Sequence, residues 1–563
     1  MAVDKAMMGR RTFVKGGLAA SALAAHAGAS LPGCAKSGSG SEKTLSWYLN
    51  NPECIDPYNT QEDQGTQVEY QLFDALTDYD FKNSKLIANA ASSWESNADA
   101  TQFTFHLVSG AKFHNGEDVN SKAFKRGWER IVNPATHGSP SVISYHLALV
   151  KGYDELQAGT GTELTGCTCP DDSTFVVELT APYADFPYVC AHPALAPVPQ
   201  AALDNDASFY TAPIGNGAFK MKDGTKWEDG QYIDLVRFDG YYGDKAKIAA
   251  IHFNIQKDNE TAYREFQAGN IDVADVPTSQ IKDAISSYGQ SDDGYTISSG
   301  KGVSLGAQPS TYYICCNTQD QYTDANGNKV DNPMKNVNLR RAISLAINRQ
   351  AICDSLFDGT RSPADNIVPP SIDGYEAGAW EYSKYDKDAA VAMLDKYYPA
   401  DASGSRGLNL TLSYNLDGSH KQIMESVISD LSAVGINVTS ATGEWATILQ
   451  DYDNGKFMMG RLGWIADYPI MDNFLYPLFY TGNGDNRSQY SNTAVDAGIK
   501  DARSTTDDAQ RISKMQAVNK IIGTDCPVIP LMFYKLTKVA GKNVKSLYVN
   551  ADGKCNMKNG ELN

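Results

Sequence analysis

Between Ser419 and Val434 the apolar residues Ile423, Val427, Ile428, Leu431 and Val434 fall on one face of a helix, Gly435 follows, and Ile436-Asn437-Val438 begins a strand. The glycine reads as a helix stop, because the residue just past a helix often takes the left-handed conformation that glycine adopts most freely. A helix feeding directly into a strand packs on a sheet, so the chain contains α/β units. A second helical pattern runs from Asn338 to Gly359, with Ile343, Ala346, Ile347 and Leu356 near one face and Asn338 as its expected N-cap. Earlier stretches read as strands: 101–107 and 251–255 alternate, and 175–179 is short and apolar. Asp324-Ala325-Asn326-Gly327-Asn328 reads as a hairpin tip, since its glycine is misplaced for a calcium loop. At 563 residues the chain has room for two to four domains of roughly 150 residues each.

Charge removes one class of partner. Lys and Arg number 49 against 67 Asp and Glu, a formal charge of −18. Nucleic acid needs a basic face, so it is excluded as a partner. The 42% apolar and 10% aromatic content is that of a folded body with an acidic surface.

Lys5, Arg10, Arg11 and Lys15 precede a small-residue apolar stretch from Gly16 to Ala29. This has signal-peptide length and is too short to span a bilayer. Arg10-Arg11-Thr12-Phe13-Val14-Lys15 resembles a twin-arginine export motif, and Leu31-Pro32-Gly33-Cys34 resembles a lipobox, with an atypical Pro32. The expectation is a signal peptide over 1–33, acylation at Cys34, and a lipidated tether over 34–42 containing Ser37-Gly38-Ser39-Gly40-Ser41. Residues 1–33 carry four Lys or Arg and one Asp, so the body without them has a charge of −21. No later run reaches the ~18 apolar residues of a membrane span.

Nine cysteines remain after Cys34, an odd number, so at least one thiol stays free or pairs outside the chain. Cys167-Thr168-Cys169 and Cys315-Cys316 lack a second pair at zinc spacing and a nearby His, so no metal is expected. Gly302-Val303-Ser304-Leu305-Gly306 matches the hydrolase nucleophile pattern, yet it leads into strand-like Tyr312-Tyr313-Ile314 rather than a helix, and only His420 lies downstream as a base. Catalytic residues and cofactors are therefore expected to be absent.

Phe103 to Leu107, Gly110 to Gly116, Val119 and Phe124 resemble the most recognisable segment of the extracellular solute-binding proteins of the dipeptide/oligopeptide ABC importer class. Trp94-Glu95, 213–219, 269–273, 337–343, 435–438 and 527–531 follow the family order. Arg461-Leu462-Gly463-Trp464-Ile465-Ala466-Asp467 resembles the oligopeptide-binding members. There the aspartate pairs with the peptide α-amino group, the arginine meets the carboxylate, and glycine and its neighbours offer backbone. That allocation makes chemical sense, since a zwitterion needs one partner of each sign and a guanidinium forks onto a carboxylate. A straight strand would separate residues 461 and 467 by about 20 Å. The segment is therefore expected to bend at Gly463, or Arg461 to reach back along the groove. Trp445 resembles a second pocket tryptophan, and Gln61, Glu62, Asp63 and Gln64 align with first-domain contacts to the peptide backbone.

The resemblance implies an α/β fold of the periplasmic-binding-protein type, two lobes with a hinge plus an extra third domain. Lobe I would comprise 43–73 with 203–309 and 536–563, the extra domain 74–202, and lobe II 310–535. Its implied role is a monomeric substrate-binding lipoprotein on the outer face of the cell membrane. It would capture short peptides in an extended conformation and deliver them to an ABC permease and its ATPase subunits. A same-fold binder of a nickel complex, haem or an oligosaccharide, and a secreted hydrolase, are the rival readings.

Overall fold

The computed structural model describes residues 43–563 except 61, 139–140, 229, 231, 325–326 and 417–418. Cys34, the export and lipidation motifs, the tether up to residue 42 and Gln61 lie outside the described residues.

Three sheets, each with its own apolar core, organise the chain. In the first, Thr44–Leu49 runs parallel to Ala250–Ile255 and Val273–Asp275, and Ile233–Arg237, Phe219–Met221 and Lys538–Ala540 complete six strands. Leu45, Trp47, Ile251 and Phe253 alternate inwards, the period-two pattern of a strand burying one face. The second sheet is antiparallel, in the order Ala91–Ser96, Gln102–Leu107, Thr174–Glu178, Cys167–Asp171. Helix Ser121–Val132 covers it with Phe124, Trp128 and Ile131. The third has six strands in the order Arg361–Pro363, Val528–Lys535, Ala307–Cys316, Met459–Ile465, Asn409–Asn415, Asn437–Gly443, with one apolar core on each face.

The chain passes between the first and third sheets at the start of Ala307–Cys316 and the end of Val528–Lys535, two antiparallel neighbours. The second sheet's helix is tied to the first sheet's unit by a fully buried ion pair. Arg130 Nη1 and Nη2 reach Asp56 Oδ1 and Oδ2 at 2.6 and 2.7 Å.

Helix His420–Ser432, the left-handed Gly435 (φ +83°) and strand Asn437–Gly443 follow the sequence reading, and Asn409–Asn415 pairs parallel with Asn437–Gly443 across that helix. Gln321–Thr323 and Lys329–Asp331 pair as a hairpin. The single helix expected over 338–359 is instead two. Val337–Ala346 is capped by Asn336 rather than Asn338, and Arg349–Leu356 by Asn348. Ile347 is extended, and buried Arg349 holds the break by bonding Pro530 O at 2.6 Å and Ser344 O at 2.8 Å.

Ser304 is fully buried, and its hydroxyl is within hydrogen-bonding distance of both Lys538 O and Lys538 N. The chain then enters a ten-residue strand, Ala307–Cys316, where a nucleophile elbow needs a helix.

Candidate functional site

Strand Met459–Ile465 is paired unequally on its two sides. Against Ala307–Cys316 the register is unbroken from Ser310↔Ile465 to Cys316↔Met459. Against Asn409–Asn415 it is paired only at Leu412↔Met459 and Ser413↔Gly460. Opposed residues in an antiparallel ladder alternate between bonding and non-bonding pairs. The Ala466 N–H bonds Pro309 O at 2.9 Å, so Trp464 shares that bonding parity. Gly463 and Ile465 therefore turn their N–H and C=O groups to the other side, past the end of Asn409–Asn415. Among the described residues the result is a short open strand edge, with Ile465 70% exposed.

The bend expected at Gly463 does not occur. The full ladder to Ala307–Cys316 holds the segment straight, and the register shows no shift there. Arg461 instead lies half-buried between two rings, its guanidinium carbon 5.1 Å from the Tyr312 centroid and 5.0 Å from that of Trp445. Such stacking suits a flat, weakly hydrated cation. Nη1 donates to Asn415 Oδ1 at 3.4 Å, while Nε is buried with no hydrogen-bond partner among the described residues. Trp445 opens helix Trp445–Asp453 and is half-buried.

Trp464 points to the opposite face from Arg461, where its Nε1 donates to Asn473 Oδ1 at 3.2 Å. The same Oδ1 accepts the Asp467 N–H at 3.1 Å, and Asn473 Nδ2 donates to Asp467 Oδ2 at 3.3 Å. Tyr145, from the second sheet's unit, donates its hydroxyl to Asp467 Oδ1 at 3.4 Å. The carboxylate is thus held by long bonds from neutral donors, and among the described residues no Lys or Arg forms an ion pair with it. A carboxylate so placed accepts an ammonium without having to surrender an existing counter-ion.

The first-sheet residues are placed differently from one another. Glu62 caps helix Asp63–Leu72, accepting the Gly65 N–H at 2.7 Å on one oxygen and the Glu53 N–H at 3.0 Å on the other, so its carboxylate is engaged locally. Asp63 and Gln64 line a cavity of about 190 Å³ together with Trp47, Gln308, Lys538 and Lys554. Lys554 Nζ lies 2.9 Å from Asp63, which holds the Asp63 carboxyl below the usual range. Burial pulls the Lys554 ammonium down, but Asp552 and Asp63 outweigh it and hold its pKa above the ordinary lysine value. Among the described residues no hydrogen bond or ion pair joins Glu62, Asp63 or Gln64 to the 461–467 segment.

Asn473, Tyr145, Tyr312 and Asn415 belong to the site and escape the sequence reading. Asn473 alone had a local cue, an amide six residues after Asp467 at the start of helix Asp472–Phe479. The others arrive through strand register or from another sheet.

An α/β molecule with a ligand-sized cavity near the crossing strands, an open strand edge and an uncompensated carboxylate is a solute-binding protein. Residues 85–486 match the model of the bacterial extracellular solute-binding proteins, family 5 Middle, and the chain belongs to that family. It is 26% identical over 532 residues to the dipeptide-binding protein DppE of Bacillus subtilis, covering 92% of this chain and 91% of that protein. The unliganded open form of the periplasmic murein tripeptide-binding protein MppA superposes with a TM-score of 0.80 at 22% identity, covering 93% of this chain and 98% of that one. Haemophilus influenzae OppA in complex with the peptide RPPGFSPFR gives 0.65 at 24% identity, covering 93% and 99%. The fold is of the periplasmic-binding-protein type. Among the described residues no helix is long and apolar enough to cross a membrane.

Proposed function

We propose that this protein captures short peptides in an extended conformation and delivers them to an ABC permease. The observation that carries the reading is the open edge at Gly463 and Ile465, flanked by Asp467 and Arg461. A peptide strand added there gains main-chain hydrogen bonds that do not depend on its sequence, and charged ends fix its register. Asp467 takes the α-amino group, and Arg461 takes the carboxylate of short peptides by leaving its place between Tyr312 and Trp445 and extending back along the groove, since the straight strand sets residues 461 and 467 about 20 Å apart. Trp445 and Trp464 give apolar walls, and Asp63 and Gln64 contribute from the facing unit, with Gln61 and Glu62 beside them. The names of the relatives, dipeptide-, oligopeptide- and murein tripeptide-binding proteins, support a peptide ligand.

In this reading lobe I is 43–73 with 203–309 and 536–563, the extra domain is 74–202, lobe II is 310–535, and lobe closure over the ligand is what the permease senses. Cys34 carries the lipid that keeps the monomer at the outer face of the membrane, and Cys34→Ser should release the protein into the medium.

Native mass spectrometry of the purified soluble form tests the ligand class. Retained adducts that fragment as short peptides support the reading. Adducts of another chemistry, with no binding of added tri- to pentapeptides by the emptied protein, would refute it.

A further inference from the structure

His146 is next to Tyr145 in the short turn Ser144–Leu147. It is 6% exposed, and its Nδ1 is buried with no hydrogen-bond partner among the described residues. Three rings enclose it: Tyr145 at 4.2 Å between centroids, His192 stacked at 4.8 Å, and Tyr468, the neighbour of Asp467, at 5.9 Å. His192 accepts the Ala194 N–H on Nδ1, so in the neutral ring its proton sits on Nε2.

The charged and titratable groups facing His146 are therefore Asp467, His192, Tyr145 and Tyr468. Burial holds both tyrosines far above the range in which they would ionise near neutrality. Burial pushes the His192 imidazole well down, and His146 pushes it further. Burial also lowers His146 below its ordinary 6.5, and the one group that draws it back up is Asp467. His146 is thus linked to the Asp467 carboxylate through Tyr145, whose ring it contacts and whose hydroxyl donates to Asp467 Oδ1, and through the ring of Tyr468, while in the peptide reading the same carboxylate takes the ligand's ammonium.

We propose that His146 makes capture of a free-amine ligand pH-dependent, because a proton on its ring and the ligand's ammonium compete for the Asp467 carboxylate. The proposal rests on the assignment of Asp467 to the ligand's amino group. The sign follows from linkage. An ammonium at Asp467 cancels the pull that favours imidazolium, so the complex holds fewer protons at His146 than the free protein does, and affinity rises with pH. Affinity is full above the His146 pKa of the free protein and is lost as the pH falls through it. A coupling of one pK unit between the two sites corresponds to about tenfold in affinity.

The test is calorimetry with trialanine and N-acetyl-trialanine at pH 7.5 and 5.0, on the wild type and on His146→Gln. The wild type should bind trialanine at least twofold more weakly at pH 5.0 than at pH 7.5 and release protons on binding there, as shown by buffers of different ionisation enthalpy. The acetylated peptide should show a small or no change, and His146→Gln should flatten the trialanine profile. Because the variant could misfold, the His146 ring resonance of the wild type is titrated by NMR, and its midpoint should fall when trialanine is added. An unmoved midpoint, an equal slope for the acetylated peptide or a slope retained in His146→Gln overturns the proposal and leaves peptide binding intact. Failure of every peptide to bind at pH 7.5 overturns the peptide reading, and the proposal with it.

Discussion

Replacing Arg130 by methionine removes the one ion-pair partner, among the described residues, of a carboxylate with no access to water. Asp56 is 0% exposed, and its two oxygens take Nη1 and Nη2 of Arg130 at 2.6 and 2.7 Å. With the arginine gone, the neutral donor left to those oxygens among the described residues is the Tyr58 N–H at 3.0 Å. Breaking a buried pair from one side costs about 3–5 kcal/mol, because the surviving charge is stranded. Replacing both partners with apolar groups of similar volume is often near neutral. Arg130 also lies 5.3 Å from the rings of Tyr58 and Phe209, contacts that a methionine thioether partly retains. Urea unfolding followed by tryptophan fluorescence should therefore show a large fall in midpoint for Arg130→Met at unchanged slope, and recovery of most of it in Asp56→Leu/Arg130→Met. A single-mutant loss below about 1 kcal/mol, the scale of a surface pair, would refute the reasoning. A double mutant no more stable than the single would refute it equally.

Three further outcomes are expected. Ile465→Pro deletes an N–H that faces the open edge, so peptide affinity should fall about tenfold with an unchanged urea midpoint, whereas Trp464→Pro breaks the ladder to Ala307–Cys316 and should lower the midpoint. Gly460→Ala should destabilise by roughly 1–3 kcal/mol, since a Cβ there would stand 2.3 Å from the Tyr452 ring, and a thermal melt measures it. Of the nine cysteines from Cys54 onwards only Cys169 is not buried, and burial raises its thiol pKa. Maleimide and mass spectrometry should show slow labelling at Cys169, and labelling at the others only after unfolding.

What the sequence disclosed follows how local each signal is. Strands 102–107, 174–178 and 250–255 and helix 420–432 carry their pattern in consecutive residues, and the structure has them with boundaries within two residues. The helix pattern over 338–359 is periodic too, but the break at Ile347 is held by Arg349 reaching Pro530, 181 residues away. The straightness of 459–465 is likewise fixed from outside, by a ladder to residues 310–316. Local reasoning placed a bend at Gly463. Arg461 and Trp445 do meet, although the guanidinium also stacks on the ring of Tyr312, a residue with no local mark of function. Tyr145 reaches Asp467 across 322 positions, and only the assembled fold makes it a neighbour.

The account rests on Asp467 as the partner of a ligand's α-amino group, and calorimetry of Asp467→Asn tests this most directly, using tri-, tetra- and pentapeptides with free or acetylated amino termini. A desolvated ammonium without a counter-charge is costly, so free-amine peptides should lose roughly 2–5 kcal/mol. Acetylated peptides, which carry no such charge, should lose far less. Equal losses for the two sets would mean that Asp467 only supports the local fold through Asn473, and would contradict the account.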